Sequence, residues 1–288
     1  MPRKAKIAIA TCRGNDLARL ADAPLVEAFR GADIDAARLA WDDENADWSS
    51  WDGILIRSTW DWHLNPDRFL RWLDSRARTN RIWNPVQLVA WCLDKRSLID
   101  LESRGVRSIP TRSLGSLHSI REFVRPWREW VIKPAFGATA YRTGLLKSED
   151  DLNQWIKQNA DFSGPLVAQQ FQPSVLHRGE LSLIYIGGEF SHAVRKTAKP
   201  GDFRVQAEFG GSVELATCSG IELDLAARCL QSLKEPTAFA RIDLVHDDAG
   251  LPMVIECELA EPELFFGQCS EAALKLARTI KAALSRPI

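Results

Sequence analysis

The chain has 288 residues, of which 45% are hydrophobic and 26% are charged, and its formal net charge is −1. This length fits one large domain or two to three small ones, and the near-neutral charge provides no overall basic field for nucleic acid or an anionic membrane. Its longest apolar runs fall well short of the roughly 20 residues that span a bilayer, so we expect a cytoplasmic protein with no nucleic-acid or membrane partner.

The first third of the chain alternates between strand and helix patterns. Short apolar runs at residues 6–11 and 54–56 predict strands, and apolar side chains recur at helical spacing over residues 17–29 and 69–73. Strands that alternate with helices indicate parallel β-α-β units. We therefore predict an α/β domain over residues 1–85.

Residues 86–172 are predicted to form a first α+β lobe. A helix over residues 87–104 ends at Gly105, which is a typical C-terminal signal. The other elements predicted in this lobe are strands at residues 130–133, 143–146 and 166–171 and a helix at residues 150–158.

Residues 173–288 are predicted to form a second α+β lobe. Strand patterns flank glycine-containing turns at residues 187–188 and 247–250, which predicts two β-hairpins. An amphipathic helix over residues 270–284 closes the lobe. The predicted fold class is therefore an α/β N-terminal domain followed by two α+β lobes.

The six cysteines are widely scattered, with no CxxC pair and no His/Cys cluster. This distribution argues against a zinc site and against a disulfide framework. We expect reduced and mostly buried thiols, because a free cysteine behaves as a small apolar side chain.

Three acidic side chains are predicted to meet on the last hairpin. Glu256 and Glu258 point to one face of a strand because side chains alternate, and the turn brings Asp243 beside them. Crowded carboxylates repel one another, and Mg²⁺ prefers such oxygen ligands together with substrate phosphates. We predict a magnesium site here; the alternative is a solvated acidic face on an exposed hairpin.

Basic and small residues elsewhere in the chain suit phosphate groups. Lys133 ends a strand next to a loop that contains Gly137 and Ala138, where backbone N–H groups can approach a phosphate closely. Neither a Walker motif nor a GxGxxG fingerprint is present. Taken alone, Lys95 is better explained as an ordinary lysine on a surface helix. Arg204, which precedes a glycine pair, is equally well explained by a surface loop.

In this order along the chain, these features resemble the ATP-grasp superfamily, and the resemblance covers most of the chain. It implies that ATP is held between two lobes, with Mg²⁺ beside its phosphates. The roles that it implies are phosphate contacts for Lys95, Lys133, Gly137 and Ala138, an adenine-binding hinge at Gln170 and Phe171, a ribose contact for Glu180, and metal binding by Asp243, Glu256 and Glu258.

The sequence departs from the usual ATP-grasp pattern at three positions. Glu258 stands where the superfamily usually has Asn, which adds negative charge beside the metal. Gln170 stands where Glu is common in the hinge, and Gln206 stands where Asn is usual. Each substitution keeps oxygen or amide chemistry, so ATP binding is expected to survive.

Residues 202–211 resemble the corresponding stretch of glutamate-adding ligases similar to glutathione synthetase, in which the arginine contacts the reacting phosphate. We predict that Arg204, aided by Arg195, stabilises the transferring phosphoryl group. A narrower resemblance, to cyclo-ligases of cycloserine biosynthesis that activate the carboxylate of O-ureidoserine, rests on four segments: residues 57–62, 83–85, 93–96 and 192–196.

Polar and aromatic residues follow the strand predicted at residues 54–56. Loops at the carboxyl ends of parallel strands are where α/β folds bind ligands, and Arg57 could hold a substrate carboxylate bidentately. We predict a substrate site made of Arg57, Ser58, Thr59 and Trp60. Eight of the 11 tryptophans precede residue 100, and core packing is the alternative explanation for them.

Together these features predict an ATP-dependent ligase that activates a small, amino-acid-like carboxylate as an acyl phosphate. A nitrogen nucleophile, in the same or another molecule, then displaces phosphate. A small-molecule kinase and a non-catalytic ATP-binding module are the alternatives. The sequence leaves the identity of the acid and the oligomeric state open, with a homodimer as one option.

Overall fold

The computed structural model describes residues 3–114, 128–206 and 209–285. The N-terminal region forms a four-stranded sheet of β1 (Ala5–Thr11), β2 (Ile34–Ala40), β3 (Gly53–Ser58) and β4 (Arg81–Trp83), in the order β2-β1-β3-β4. Every neighbouring pair is parallel. The helices α1 (Asp16–Gly31) and α2 (Pro66–Ala77) supply the crossovers, which confirms the predicted β-α-β units.

Local sequence signals set where these two helices begin. The Asn15 side chain accepts the N–H of Ala18 at the start of α1, and Asn65 accepts that of Arg68 at the start of α2. Both are typical N-cap contacts, and Pro66 occupies the first turn, where its missing N–H costs nothing. Strand β3 is buried along its whole length, as expected for a central parallel strand.

The prediction of a single helix over residues 87–104 is wrong. The structure has two short helices, α3 (Val86–Leu93) and α4 (Ser97–Ser103), separated by Asp94, Lys95 and Arg96. The Lys95 N–H donates to the carbonyl of Ala135 at 2.8 Å, outside the helix. This contact with a distant loop interrupts the helical hydrogen bonds, and it cannot be read from local periodicity.

The second sheet contains β5 (Thr111–Leu114), β6 (Trp130–Pro134), β7 (Gly144–Leu146) and β8 (Leu166–Gln170) in the antiparallel order β5-β8-β6-β7. Helix α5 (Glu149–Gln158) begins with a capping box between Ser148 and Asp151. Its Leu152 and Trp155 are buried with strand residues such as Ile132 in a core of their own.

The third sheet is antiparallel and has the order β11-β10-β9-β12-β13. Its strands are β9 (Glu180–Ile186), β10 (Glu189–Thr197), β11 (Ser212–Ala216), β12 (Phe239–His246) and β13 (Pro252–Glu258), so both predicted hairpins form. The helices of this region are α6 (Val175–Arg178), α7 (Gly220–Ser232) and α8 (Ser270–Leu284), the last with the predicted bounds.

Two large cores join these elements across the predicted domain boundaries. One buries residues of α1, β1 and β3 together with residues of β9, β12 and α8. The other packs Leu88, Leu98 and Leu101 of α3 and α4 against the five-stranded sheet and α7. The predicted boundary at residue 86 places α3 and α4 in the first lobe. In the structure, these helices pack mainly against the five-stranded sheet of the second lobe. No helix in the described ranges combines the length and hydropathy that crossing a membrane requires.

Candidate active site

A cavity of about 530 Å³ collects side chains from all three sheets or the loops that follow their strands. Lys133 and Gln170 come from the four-stranded antiparallel sheet, Lys196 and Glu256 from the five-stranded sheet, and Trp60 from the loop after β3. The fold therefore brings distant parts of the sequence to one space. This space is the candidate active site.

The three predicted metal-binding carboxylates meet at this cavity. In the β12–β13 pair, Asp243 lies opposite Glu256, and Arg241 lies opposite Glu258. One carboxylate oxygen from each of the three acids lies within 4.8 Å of the others. Asp243 is fully buried, so the alternative of a solvated acidic face does not describe this hairpin.

Cations of the chain itself neutralise these acids. Lys95 Nζ lies 2.5 Å from Glu256, and Lys196 Nζ lies 3.1 Å from Asp243. Arg241 donates from Nη2 to Asp243 at 2.8 Å and also pairs with Glu258. The metal was predicted because the three carboxylates would repel one another. In the structure, lysine and arginine side chains already offset this repulsion. Even so, three carboxylates at this spacing are the hard oxygen donors that fit Mg²⁺.

Arg241 and Lys196 were missed in the sequence interpretation, although strand alternation could have identified both. Arg241 precedes Asp243 by two residues on β12 and therefore shares its face. Lys196 of β10 lies opposite Glu180 of β9 in the sheet register. Both side chains point to the cavity face of the sheet, and the Lys196 ammonium group forms an ion pair with the Glu180 carboxylate. The metal-site candidates are consequently set within a network of buried ion pairs.

The network moves the pKa values of its acids in opposite directions. Burial alone would raise the pKa of Glu256, but Lys95 and Lys133 outweigh it and lower this pKa to about 2. Burial, opposed by Lys196 and reinforced by Asp243, raises the pKa of Glu180 to about 7. Burial together with the neighbouring acids raises the pKa of Glu258 well above its ordinary value, against the pull of Arg241.

Lys133 is a cation of a different kind. Burial and the nearby Lys95 ammonium lower its pKa to about 8. Within the described ranges, no carboxylate lies within 4.0 Å of its Nζ. A half-buried lysine that faces a cavity and has no anionic partner among the described residues has its charge available for a ligand, and phosphate oxygens are suited to it.

Gly137 and Ala138 line the cavity beside Lys133, as predicted for a loop that approaches phosphates. A Cβ added at Gly137 would reach only ordinary contact, 3.5 Å from Pro134, so internal packing does not require glycine there. The loop then takes positive φ angles at Thr139, Ala140 and Arg142. Arg142 ties it to Asp161 at 2.6 Å.

The predicted hinge residues Gln170 and Phe171 also line the cavity. Their backbone N–H groups are already used: Gln170 donates to Pro110 at 3.1 Å and Phe171 donates to Glu129 at 3.0 Å. Gln172, which follows them and lines the same wall, has an N–H with no acceptor among the described residues. An adenine hydrogen bond to the hinge backbone therefore fits Gln172 better as its donor.

The two predicted catalytic arginines are placed differently. Arg204 lines the cavity, where Asp202 holds it at 2.7 Å and its guanidinium carbon lies 3.7 Å from the centre of the Phe209 ring. Arg195 does not line the cavity, and it donates to the carbonyl of Arg178 at 2.8 Å. Because strand side chains alternate, Lys196 faces the cavity and Arg195 faces away. The prediction for Arg195 is wrong.

The predicted substrate residues separate in a similar way. Trp60 lines the cavity, but Arg57, Ser58 and Thr59 are at most 1% exposed and do not line it. Strand β3 extends through Ser58, beyond its predicted end, and so carries these side chains into the interior. Arg57 donates to the carbonyl of Pro262 at 2.8 Å. Its prediction as a carboxylate ligand is therefore wrong.

Other residues that line the cavity were missed. The segment after β13 contributes Glu261, Glu263 and Phe265, and α1 contributes Leu17 and Leu20. The two leucines are 53% and 58% exposed, so they form an apolar rim. No local pattern distinguishes this segment, because only the tertiary fold brings it opposite α1.

Two families match the chain. The one described as D-cycloserine synthetase DcsG, N-terminal domain, matches residues 7–84, and the one described as prokaryotic glutathione synthetase, ATP-grasp domain, matches residues 108–251, half of the chain. The cycloserine biosynthesis protein DcsG of Streptomyces lavendulae is 30% identical in an alignment 278 residues long, which covers 89% of this chain and 91% of the relative.

Solved structures agree with this similarity. The crystal structure of D-cycloserine synthetase DcsG superposes with a TM-score of 0.89 at 29% identity, covering 98% of this chain and 100% of that one. D-alanine–D-alanine ligase from Bacillus anthracis shares the fold, with a TM-score of 0.74 at 13% identity and 97% of each chain covered. By its sequence, its fold and the cavity between its sheets, the chain belongs to the ATP-grasp family of DcsG and is an ATP-dependent carbon–nitrogen ligase.

Proposed function

We propose that this ligase activates the carboxylate of a small amino-acid-like substrate as an acyl phosphate and closes it into a ring, as in the conversion of O-ureidoserine to cycloserine. The similarity to D-cycloserine synthetase over nearly the whole chain supports this substrate class. The main structural support is that five cationic side chains face one cavity beside three carboxylates, at Lys95, Lys133, Lys196, Arg204 and Arg241.

The proposal assigns a role to most of these charged groups. Lys95 and Lys133 bind phosphate oxygens of ATP, and Glu180 contacts its ribose. Arg204 and Arg241 stabilise the phosphoryl group during its transfer, because both guanidinium groups face the cavity. Asp243, Glu256 and Glu258 would hold Mg²⁺, which when bound neutralises charge on the transferred phosphoryl group.

The bonds change in two steps. A substrate carboxylate oxygen attacks the γ-phosphorus of ATP, and the bond to ADP breaks. The oxygen-bound nitrogen of the same molecule then attacks the acyl carbon, loses a proton and releases phosphate. For O-ureidoserine, the carbamoyl group on that nitrogen is removed by water as carbon dioxide and ammonia, which leaves cycloserine. A cavity enclosed by apolar residues such as Trp60 and Phe265 protects the acyl phosphate from water between these steps.

The direct test is ADP release and ring formation by the purified chain with ATP, Mg²⁺ and O-ureidoserine. The variant Glu256→Gln should lose at least about 100-fold in turnover, as expected when an electrostatic group of the phosphoryl-transfer site is removed. It should keep the wild-type circular dichroism spectrum. The matched control is Glu271→Gln, on the exposed face of α8.

Two results would contradict the proposal. Near-normal turnover in Glu256→Gln would remove Glu256 from the metal site. ADP release that leaves a stable phosphorylated product, with no new carbon–nitrogen bond, would contradict ring closure. A homodimer stays a prediction, and light scattering by the purified chain is the measurement that decides it.

A further inference from the structure

Glu261 occupies an unusual position at the substrate end of the cavity. Its side chain accepts the Trp62 indole N–H through Oε1, and its backbone carbonyl accepts the Trp60 indole N–H at 3.0 Å. Within the described ranges, no lysine or arginine nitrogen lies within 4.0 Å of its carboxylate. By contrast, Glu256 and Glu258 are both ion-paired.

The protein holds this glutamate in place from the N-terminal domain. Trp62 is 1% exposed, so its indole is a fixed donor. Arg57 donates to the carbonyl of Pro262, the next residue, and its guanidinium carbon lies 5.6 Å from the centre of the Phe266 ring. The segment after β13 is thus fastened at several points, which holds Glu261 in position before any ligand arrives.

The surroundings of Glu261 favour a cationic ligand. Trp60, whose indole N–H donates to the backbone carbonyl of Glu261, lines the same cavity, as do Phe265 and the two rim leucines, Leu17 and Leu20. Lys95, Arg241 and Glu256 act on Glu261 only from beyond ion-pair distance. A half-buried carboxylate without a direct cationic partner is costly, and a ligand cation would remove the cost. Aromatic faces also attract ammonium groups. A ligand anion at this end would instead be repelled by Glu261.

Glu263, the other acid at this end, has a different role. Its Oε1 accepts the N–H of Phe265 at 2.8 Å, which shapes the turn that follows. Its backbone carbonyl accepts a hydrogen bond from Arg241 at 3.3 Å. The segment therefore connects Glu261 to the arginine that lies on the metal-site carboxylates.

We propose that Glu261 binds the ammonium group of an amino-acid substrate whose carboxylate lies towards Arg241. This inference rests on the proposed ligase function and makes Glu261 a specificity-determining residue. It selects acids that carry a free amino group over the same acids with that group acylated. Glu261 lies outside both segments that match the two families.

The test compares wild type, Glu261→Gln and Glu261→Asp, with Glu271→Gln as the control. Each is assayed for ADP release with O-ureidoserine and a panel of small amino acids, every acid paired with its N-acetyl derivative. Loss of one charge-assisted hydrogen bond should raise the KM of Glu261→Gln for the free amino acid roughly 10- to 100-fold. The KM for ATP should stay within about twofold, since Glu261 does not contact the nucleotide in this proposal.

A purely structural role for Glu261 would predict a different pattern. With a purely structural role, Glu261→Gln would weaken the binding of the free amino acid and of its N-acetyl derivative equally. With ammonium recognition, it would weaken the binding of the free amino acid only. Glu261→Asp keeps the charge and should keep the preference for the free amino acid, with a smaller rise in KM. Binding of each acid in the presence of a non-hydrolysable ATP analogue is measured in parallel.

The outcomes separate this inference from the proposed function. If wild type uses a different amino acid and the variant shows the expected rise in KM, ring closure of O-ureidoserine fails and the role of Glu261 stands. If wild type closes O-ureidoserine and Glu261→Gln keeps its KM, the role of Glu261 is overturned. A wild-type protein that binds no acid with a free amino group contradicts both.

Discussion

Arg241 controls the charge balance of the active site. It lies between the fully buried Asp243, at 2.8 Å, and the half-buried Glu258, with which it also pairs. Its guanidinium, which is always charged, helps to lower the pKa of Asp243, but at Glu258 burial and the neighbouring acids outweigh it and raise the pKa. Glu258, which replaces the usual Asn of the superfamily, therefore lies beside a cation that offsets its charge whenever it is ionised.

We expect Arg241→Met to destabilise the protein by about 3–5 kcal/mol, because it leaves buried carboxylates without their partner. ADP release should be lost as well. The matched control is Arg195→Met, since Arg195 lies on the face of the five-stranded sheet that points away from the cavity. This substitution should lower the free energy of unfolding by about 1 kcal/mol and keep activity. Urea denaturation and an ADP assay measure both effects. Equal effects of the two substitutions would mean that Arg241 is no more important than a peripheral arginine.

At the scale of single elements, alternation along strands explains most of what could be predicted. The period of two correctly grouped Asp243, Glu256 and Glu258. Applied to β10, it would have selected Lys196 instead of Arg195. Strand β2 was missed because its residues are mostly half-buried and form no apolar run. The break before α4 depends on the Lys95–Ala135 hydrogen bond, which no local pattern encodes.

Helix α7 offers a pH-dependent test at the same scale. Glu222 completes a capping box with Ser219 and accepts a hydrogen bond from His246 of β12 at 2.8 Å. Burial raises the pKa of Glu222, but hydrogen bonds from Ser219 and His246 outweigh it and leave this pKa below its ordinary 4.5. The resulting stabilisation is therefore present above pH 4.5 and is lost as the pH falls through the folded-state pKa.

We expect Glu222→Gln to cost about 1–2 kcal/mol at pH 7. The difference from wild type should shrink as the pH falls through the folded-state pKa of Glu222, since both side chains are uncharged below it. Urea denaturation at a series of pH values measures it, with the exposed Glu235→Gln as the control. A difference that stays constant down to pH 3 would show that the charge of Glu222 contributes nothing.

At the scale of the whole molecule, hydrophobic cores divide the chain differently from its sheets. Phe239 of β12 is fully buried in a core that also contains Ile9 of β1 and Leu55 of β3. The parallel sheet and the five-stranded sheet therefore share one interior. Leu152 and Trp155 belong to a separate core under the β5–β8 sheet. The cavity lies where these two bodies face each other, so closure around ATP can occur without disturbing either core.

This arrangement predicts two units of cooperative opening. Phe239→Ala should cost about 3–5 kcal/mol, and amide hydrogen exchange should accelerate in β1 and β3 as much as in β9 and β12, because one core supports all four strands. The strands β6 and β8 should keep their protection. Leu152→Ala should give the reverse pattern. Faster exchange only within the five-stranded sheet of Phe239→Ala would contradict this prediction. The N-terminal sheet would then open as a separate unit, and the core that it shares with the five-stranded sheet would contribute little to its stability.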